Sequence, residues 1–66
     1  MAKGVIKWFS VRRGYGFIEK EDGTEIFVHY SEINMPGFKV LSANDRVHFK
    51  IERSDRGIRA VNVLKI

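Results

Sequence analysis

The sequence predicts an all-β protein, a small five-stranded antiparallel barrel, and three observations lead there. Apolar and polar residues alternate with period 2 along most of the chain, the spacing of half-buried strands rather than helices. Asp22-Gly23 lies between two such runs, a dipeptide suited to a tight hairpin. The chain has 66 residues, one proline and no cysteine, so a single domain over residues 1–66 must be stabilised by packing alone. Closure removes the sheet edges that would be a hazard in so small a sheet. An SH3-like barrel fits the same pattern.

The elements follow in order. "VIKWF" (5–9) is β-branched and aromatic, and reads as the first strand. After the basic turn "SVRRG" comes "GYGFIEK" (14–20), then the turn "EDGT" (21–24), then "EIFVHY" (25–30) as the antiparallel partner. The stretch 31–46 lacks periodicity. Ser31 is expected to cap a short helical turn bearing Ile33, and Met35-Pro36-Gly37 to form a turn. "VHFKIE" (47–52) sets Val47, Phe49 and Ile51 on one face; "RSDRG" (53–57) is a loop, and "IRAVNVLKI" (58–66) the last strand.

A formal charge of +4 and a pI near 9.8 favour polyanionic partners. Without cysteine there is neither a disulfide nor a thiolate metal site. His29 and His48 have no partner at ligand spacing, so neither metal nor cofactor is expected. No Ser-His-acid arrangement or paired carboxylates in a pocket suggest an enzyme, and no small-molecule substrate is implied. Asp22 and Glu25 are explained by turn chemistry. No apolar run approaches the ~20 residues of a membrane span, and there is no signal-peptide pattern, so a cytoplasmic location is expected.

Alternation also sorts the rings. Burying Ile18, Ile26 and Val28 with Val47, Phe49 and Ile51 leaves Tyr15, Phe17, Phe27 and His29 together on the other face of one hairpin. The chain has too few residues for a second layer over that face, which must therefore be largely wet. Gly14 and Gly16 are expected to leave the adjoining backbone uncovered, open to a flat ligand. Lys7, Arg12 and Arg13 precede the rings, Lys39 follows Phe38, and Arg56 and Arg59 lie near the end. Exposed rings flanked by cations suit unpaired bases, which stack for roughly 1–3 kcal/mol each while cations track phosphates.

The chain resembles the bacterial cold-shock proteins and the related cold-shock domain, a five-stranded oligonucleotide-binding barrel. "RGYGFI" (13–18) is similar to that family's first ribonucleoprotein-type motif and "IFVHYS" (26–31) to its second. "GVIKWF" (4–9) resembles its N-terminal strand, and "GFKVL" (37–41) the segment with a further stacking ring. The resemblance implies nucleic-acid contacts at Lys7, Trp8, Arg13, Tyr15, Phe17, Phe27, His29, Tyr30, Phe38 and Arg56, with Phe9 more marginal; Lys39 is a candidate phosphate contact by its charge beside Phe38. Simple alternation does not reach Trp8 or Tyr30, which it places with Ile6 and Val28; a bulge, curvature or a strand end would have to turn them outward. Ser10 stands where the family usually has Asn or Asp, and "GIRA" (57–60) replaces a commoner Gly-Pro-Gln-Ala. What the resemblance implies is a monomeric binder of single-stranded RNA and DNA, acting as an RNA chaperone without ATP. A peptide-binding SH3-like barrel is the alternative; such grooves usually carry acidic residues, whereas cations flank these rings.

Overall fold

Five strands form where the alternation places them: β1 (Ala2–Ser10), β2 (Tyr15–Lys20), β3 (Glu25–His29), β4 (Arg46–Ser54) and β5 (Gly57–Lys65). The computed structural model describes residues 1–35 and 41–66. Pro36 and Gly37 of the expected turn, and the expected site residues Phe38 and Lys39, lie outside the described residues.

The strands close into a barrel in the order β1-β2-β3-β5-β4. Neighbours are antiparallel except at the closure, where β3 and β5 run parallel with Phe27 opposite Arg59. This refines the all-antiparallel expectation. Direction cannot alternate around a closed ring with an odd number of strands, so one pairing must be parallel.

The β2–β3 hairpin turns as Asp22-Gly23 predicts. Gly23 has φ 87°, a left-handed conformation that costs L-residues with a Cβ. The Asp22 carboxylate accepts the Thr24 N–H at 3.0 Å, and that bond holds its pKa below the ordinary value. At the other hairpin only Asp55 and Arg56 separate β4 from β5, with Gly57 at φ 112°.

Inward positions of all five strands fill the interior. Ile6, Ile18, Ile26, Val28, Val47 and Phe49 are at most 1 % exposed, as are Ala60 and Val63 from β5. Ile33 and Leu41, at 2 %, are buried with them. Among the described residues no polar or charged side chain is buried, so nothing in this interior requires a compensating partner.

Ile51 is corrected: it is 39 % exposed rather than part of the core. The β1–β4 ladder runs from Val5↔Arg46 to Ala2↔Phe49, so Ile51 lies beyond the last position that β1 covers. From Lys50 onward β4 is bordered by β5 alone and is exposed, and past the Glu52↔Arg59 pair the two strands run on as a two-stranded arm. The register of that pair shifts between His48 and Lys50, beside Asn62 with φ 52°. His48 is half-buried between Lys3 and Leu64.

After β3 the chain makes a single 3-10 turn over Tyr30–Glu32. Its cap is His29, not Ser31: the His29 Nδ1 accepts the Ser31 N–H at 3.2 Å. Ile33 follows the turn and enters the core.

Replacing Phe49 by alanine should cost about 3–5 kcal/mol, the usual loss for a buried ring. Ile51→Ala should cost less than ~1 kcal/mol. Denaturant midpoints of the two variants measure the contrast; equal losses would return Ile51 to the core.

Candidate functional site

One residue decides the character of the outer face of β1, β2 and β3. Ile6 pairs with Ile18 and Trp8 with Phe17, so Lys7 is an extra residue opposite no partner, a β-bulge. A bulge inverts the in–out parity of everything after it. Ile6 therefore points inward while Trp8 points outward, and Phe9, opposite Gly16, turns back to the interior. Trp8 is 39 % exposed, and Phe9 is half-buried against the core rather than among the outward rings.

Trp8, Tyr15, Phe17 and Phe27 meet in a closed circuit. Ring centroids are 5.7 Å apart for Trp8–Tyr15, 5.6 Å for Tyr15–Phe27, 6.0 Å for Phe27–Phe17 and 5.5 Å for Phe17–Trp8. Interplanar angles from 34° to 77° make these tilted and edge contacts, the geometry favoured by ring quadrupoles. The rings support one another at their edges.

Cross-strand pairing sets His29 beside Tyr15. Its ring centroid lies 4.7 Å from that of Tyr30. Tyr30 is 50 % exposed because β3 ends at His29 and the 3-10 turn begins there. The Tyr30 N–H donates to the Gly14 carbonyl at 2.8 Å, fixing this pair to the loop after β1. The His29 Nδ1 also lies 2.9 Å from the Ser31 hydroxyl oxygen, so the turn holds the ring orientation.

The two glycines are not open backbone for a ligand. A Cβ on Gly16 would collide with the Trp8 carbonyl oxygen and stand 2.7 Å from the Phe9 Cα. A Cβ on Gly14 would stand 3.0 Å from the Tyr30 ring. Both are buried by this chain's own residues. Gly16 lets β1 approach at the bulge, and Gly14, at φ 81°, seats Tyr30.

The cations divide into two sets. The Lys7 ammonium lies 2.5 Å from a Glu25 carboxylate oxygen, and this contact raises the Lys7 pKa. The Arg59 Nη2 and Nε donate to one Glu52 oxygen at 2.7 and 3.2 Å, and Glu32 stands 4.0 Å from Nη1. Arg59 is likewise held more firmly protonated, chiefly by Glu52. Arg12, Arg13 and Arg56 are exposed and have no carboxylate partner among the described residues. Arg13 occupies a loop that Ser10 braces, its Oγ accepting the Arg13 N–H at 3.1 Å. Arg56 shares a shallow depression with Phe27, Ile58 and Arg59.

Sequence reasoning missed Glu25 as part of this face by assigning it to the turn. The signal was available, since Glu25, Phe27 and His29 share one parity, as do Tyr15, Phe17 and Glu19. Among the described residues no cluster of three His, Cys, Asp or Glu could hold a metal, and no helix is long and apolar enough to cross a membrane.

Comparison with known proteins agrees with this geometry. The family described as "'Cold-shock' DNA-binding domain" matches residues 2–66. The chain is 46 % identical over 65 residues to cold shock protein CspC of Bacillus subtilis, covering 98 % of each chain. It is 50 % identical over 64 residues to cold shock protein 1 of Lactiplantibacillus plantarum, covering 97 % of each. The solved structure of Drosophila Unr CSD456 superposes with a TM-score of 0.76 at 20 % identity; the match covers 98 % of this chain and 26 % of that one. That likeness establishes the barrel fold.

Two measurements test the site as built. Gly16→Ala should destabilise by about 1–3 kcal/mol, as overpacking against backbone does, seen as a lower denaturation midpoint. In the free protein Trp8 should be quenched by acrylamide and emit as a partly hydrated indole. A blue-shifted, unquenchable emission would place Trp8 inside and contradict the bulge.

Proposed function

The chain belongs to the cold-shock DNA-binding domain family and is a nucleic-acid-binding protein by that membership; from this premise we propose that it binds single-stranded RNA and DNA. The observation that supports this reading is the closed circuit of Trp8, Tyr15, Phe17 and Phe27 on a wet face. An open strand offers base faces to such a surface. A duplex has its base faces already stacked and offers only phosphates.

In this reading Trp8, Tyr15, Phe17, Phe27, His29 and Tyr30 stack on bases, and Arg13 and Arg56 meet phosphates. Phe38 joins the proposal on the family resemblance alone, and Lys39 as the cation that follows it in the sequence. Stacking contributes roughly 1–3 kcal/mol per base, and every base has a π-face, so sequence preference is weak. Binding open strands better than paired ones shifts an RNA folding equilibrium by that difference, with no ATP required. The protein thus acts as a chaperone that keeps transcripts unpaired, as a cytoplasmic monomer without catalytic activity. A groove for proline-rich peptides receives no support from the matched family.

The test is a Trp8 fluorescence titration with a short oligothymidine and with a duplex of equal length, at two salt concentrations. The single strand should quench strongly and the duplex weakly. Arg13, Lys39 and Arg56 as three phosphate contacts give a log–log salt slope near −2. Phe17→Ala and Phe27→Ala should each weaken oligothymidine binding roughly 5- to 150-fold. Equal affinity for both oligonucleotides with a steep salt slope would reduce this face to a basic surface.

A further inference from the structure

Two of the cations beside the ring circuit, Lys7 and Arg59, are already neutralised. Glu25 lies on the same outward parity of β3 as Phe27, and across β2 it faces Glu19 in direct pairing. Like charges opposed across a ladder are destabilising, and Lys7 is the cation placed against them: Glu25, then Glu19, raise its affinity for its proton. On the other side Arg59 pairs with Phe27 across the parallel closure. Its guanidinium is held by Glu52, its direct cross-strand partner on β4. At both borders of the circuit, therefore, a cation that could meet a phosphate meets a carboxylate of its own chain. The unpaired cations Arg12, Arg13 and Arg56 lie in the loop after β1 and at the tip of the β4–β5 arm.

We propose that Glu25 and Glu52 are specificity-determining residues: by occupying Lys7 and Arg59 they deny phosphates a foothold beside the rings. A nucleic acid can then gain at this position only through its bases. This rests on the reading of the face as a single-strand platform. A duplex, whose gain is almost entirely phosphate neutralisation, is penalised twice, by the missing cations and by the carboxylates. An open strand contributes stacking and loses less.

The experiment compares wild type with Glu25→Gln, Glu52→Gln and the double variant. Anisotropy of labelled oligothymidine and of a labelled duplex is measured between roughly 50 and 200 mM salt, the range in which phosphate contacts dominate. Glutamine keeps shape and removes charge. Each freed cation should steepen the log–log salt slope by about 0.9 for the duplex and about 0.7 for the single strand. At the lower salt, duplex affinity should rise on the order of tenfold per variant, and preference for the single strand should fall about twofold. Adding Lys7→Gln to Glu25→Gln should cancel that variant's gain.

Glu21→Gln, which removes an exposed carboxylate beside Ala2 and Lys3, separates a local effect from net charge. A duplex gain as large in Glu21→Gln as in Glu25→Gln overturns the proposal. Unchanged duplex affinity and salt slope in the Glu25 and Glu52 variants overturn it as well. Failure of the wild type to bind oligothymidine would instead remove the platform reading, and this inference with it.

Discussion

The register change at Lys7 is the constraint on which the rest of this structure depends, because β1 must serve two faces that strict alternation cannot reconcile. Ile6 is needed in the interior and Trp8 on the outer face, yet they sit two residues apart and an unbroken strand would give them the same side. One unpaired residue inverts the parity between them. The inversion brings Phe9 back toward the core and presses its backbone against β2, where only Gly16 leaves room. Bulge, glycine and outward tryptophan form one device.

That device lets a very small protein keep a wet aromatic face without losing its core. The interior is almost wholly aliphatic, with Phe49 its one fully buried ring among the described residues. Trp8, Tyr15, Phe17 and Phe27 are placed outside, where they bury their edges against one another, while Phe9 packs half-buried against the core. Large exposed apolar patches usually mark a partner surface. The division is by chemistry: aliphatic residues fill the barrel, and the rings are left on its surface, where the proposed function uses them for recognition.

Charge is arranged with similar economy. The net charge of +4 suggests a uniformly basic protein, but the cations differ in availability. Lys7 and Arg59 are engaged beside the rings, whereas Arg12 and Arg13 are unpaired on a braced loop and Arg56 on the tip of an arm. In the proposed binding mode a strand crossing this face meets the rings, with Arg56 as a free cation beside Phe27 and Arg12 and Arg13 on the loop after β1. Under that proposal stacking, which salt screens little, outweighs phosphate neutralisation, which salt weakens steeply.

The amino-acid sequence by itself determined the all-β class, the number and order of strands, the Asp22-Gly23 hairpin and the cluster of Tyr15, Phe17, Phe27 and His29. Each depends on alternation or turn chemistry within a few residues, and those preferences are local. It also supplied, through resemblance, Trp8 and Tyr30, whose orientation alternation alone assigned to the wrong side. Tertiary structure decided the remainder. Trp8 faces outward because β2 accepts a bulge opposite it, and Tyr30 because β3 stops one residue earlier. Ile51 has the parity of a core residue and is exposed because β1 stops short of that length of β4, leaving β5 as its one neighbour. Glu25 and Glu52 read as ordinary turn and surface charges until the barrel brings Lys7 and Arg59 to them. Bulges, coverage and ion pairs belong to neighbours distant in sequence, and a period-2 pattern holds no information about which neighbour will arrive.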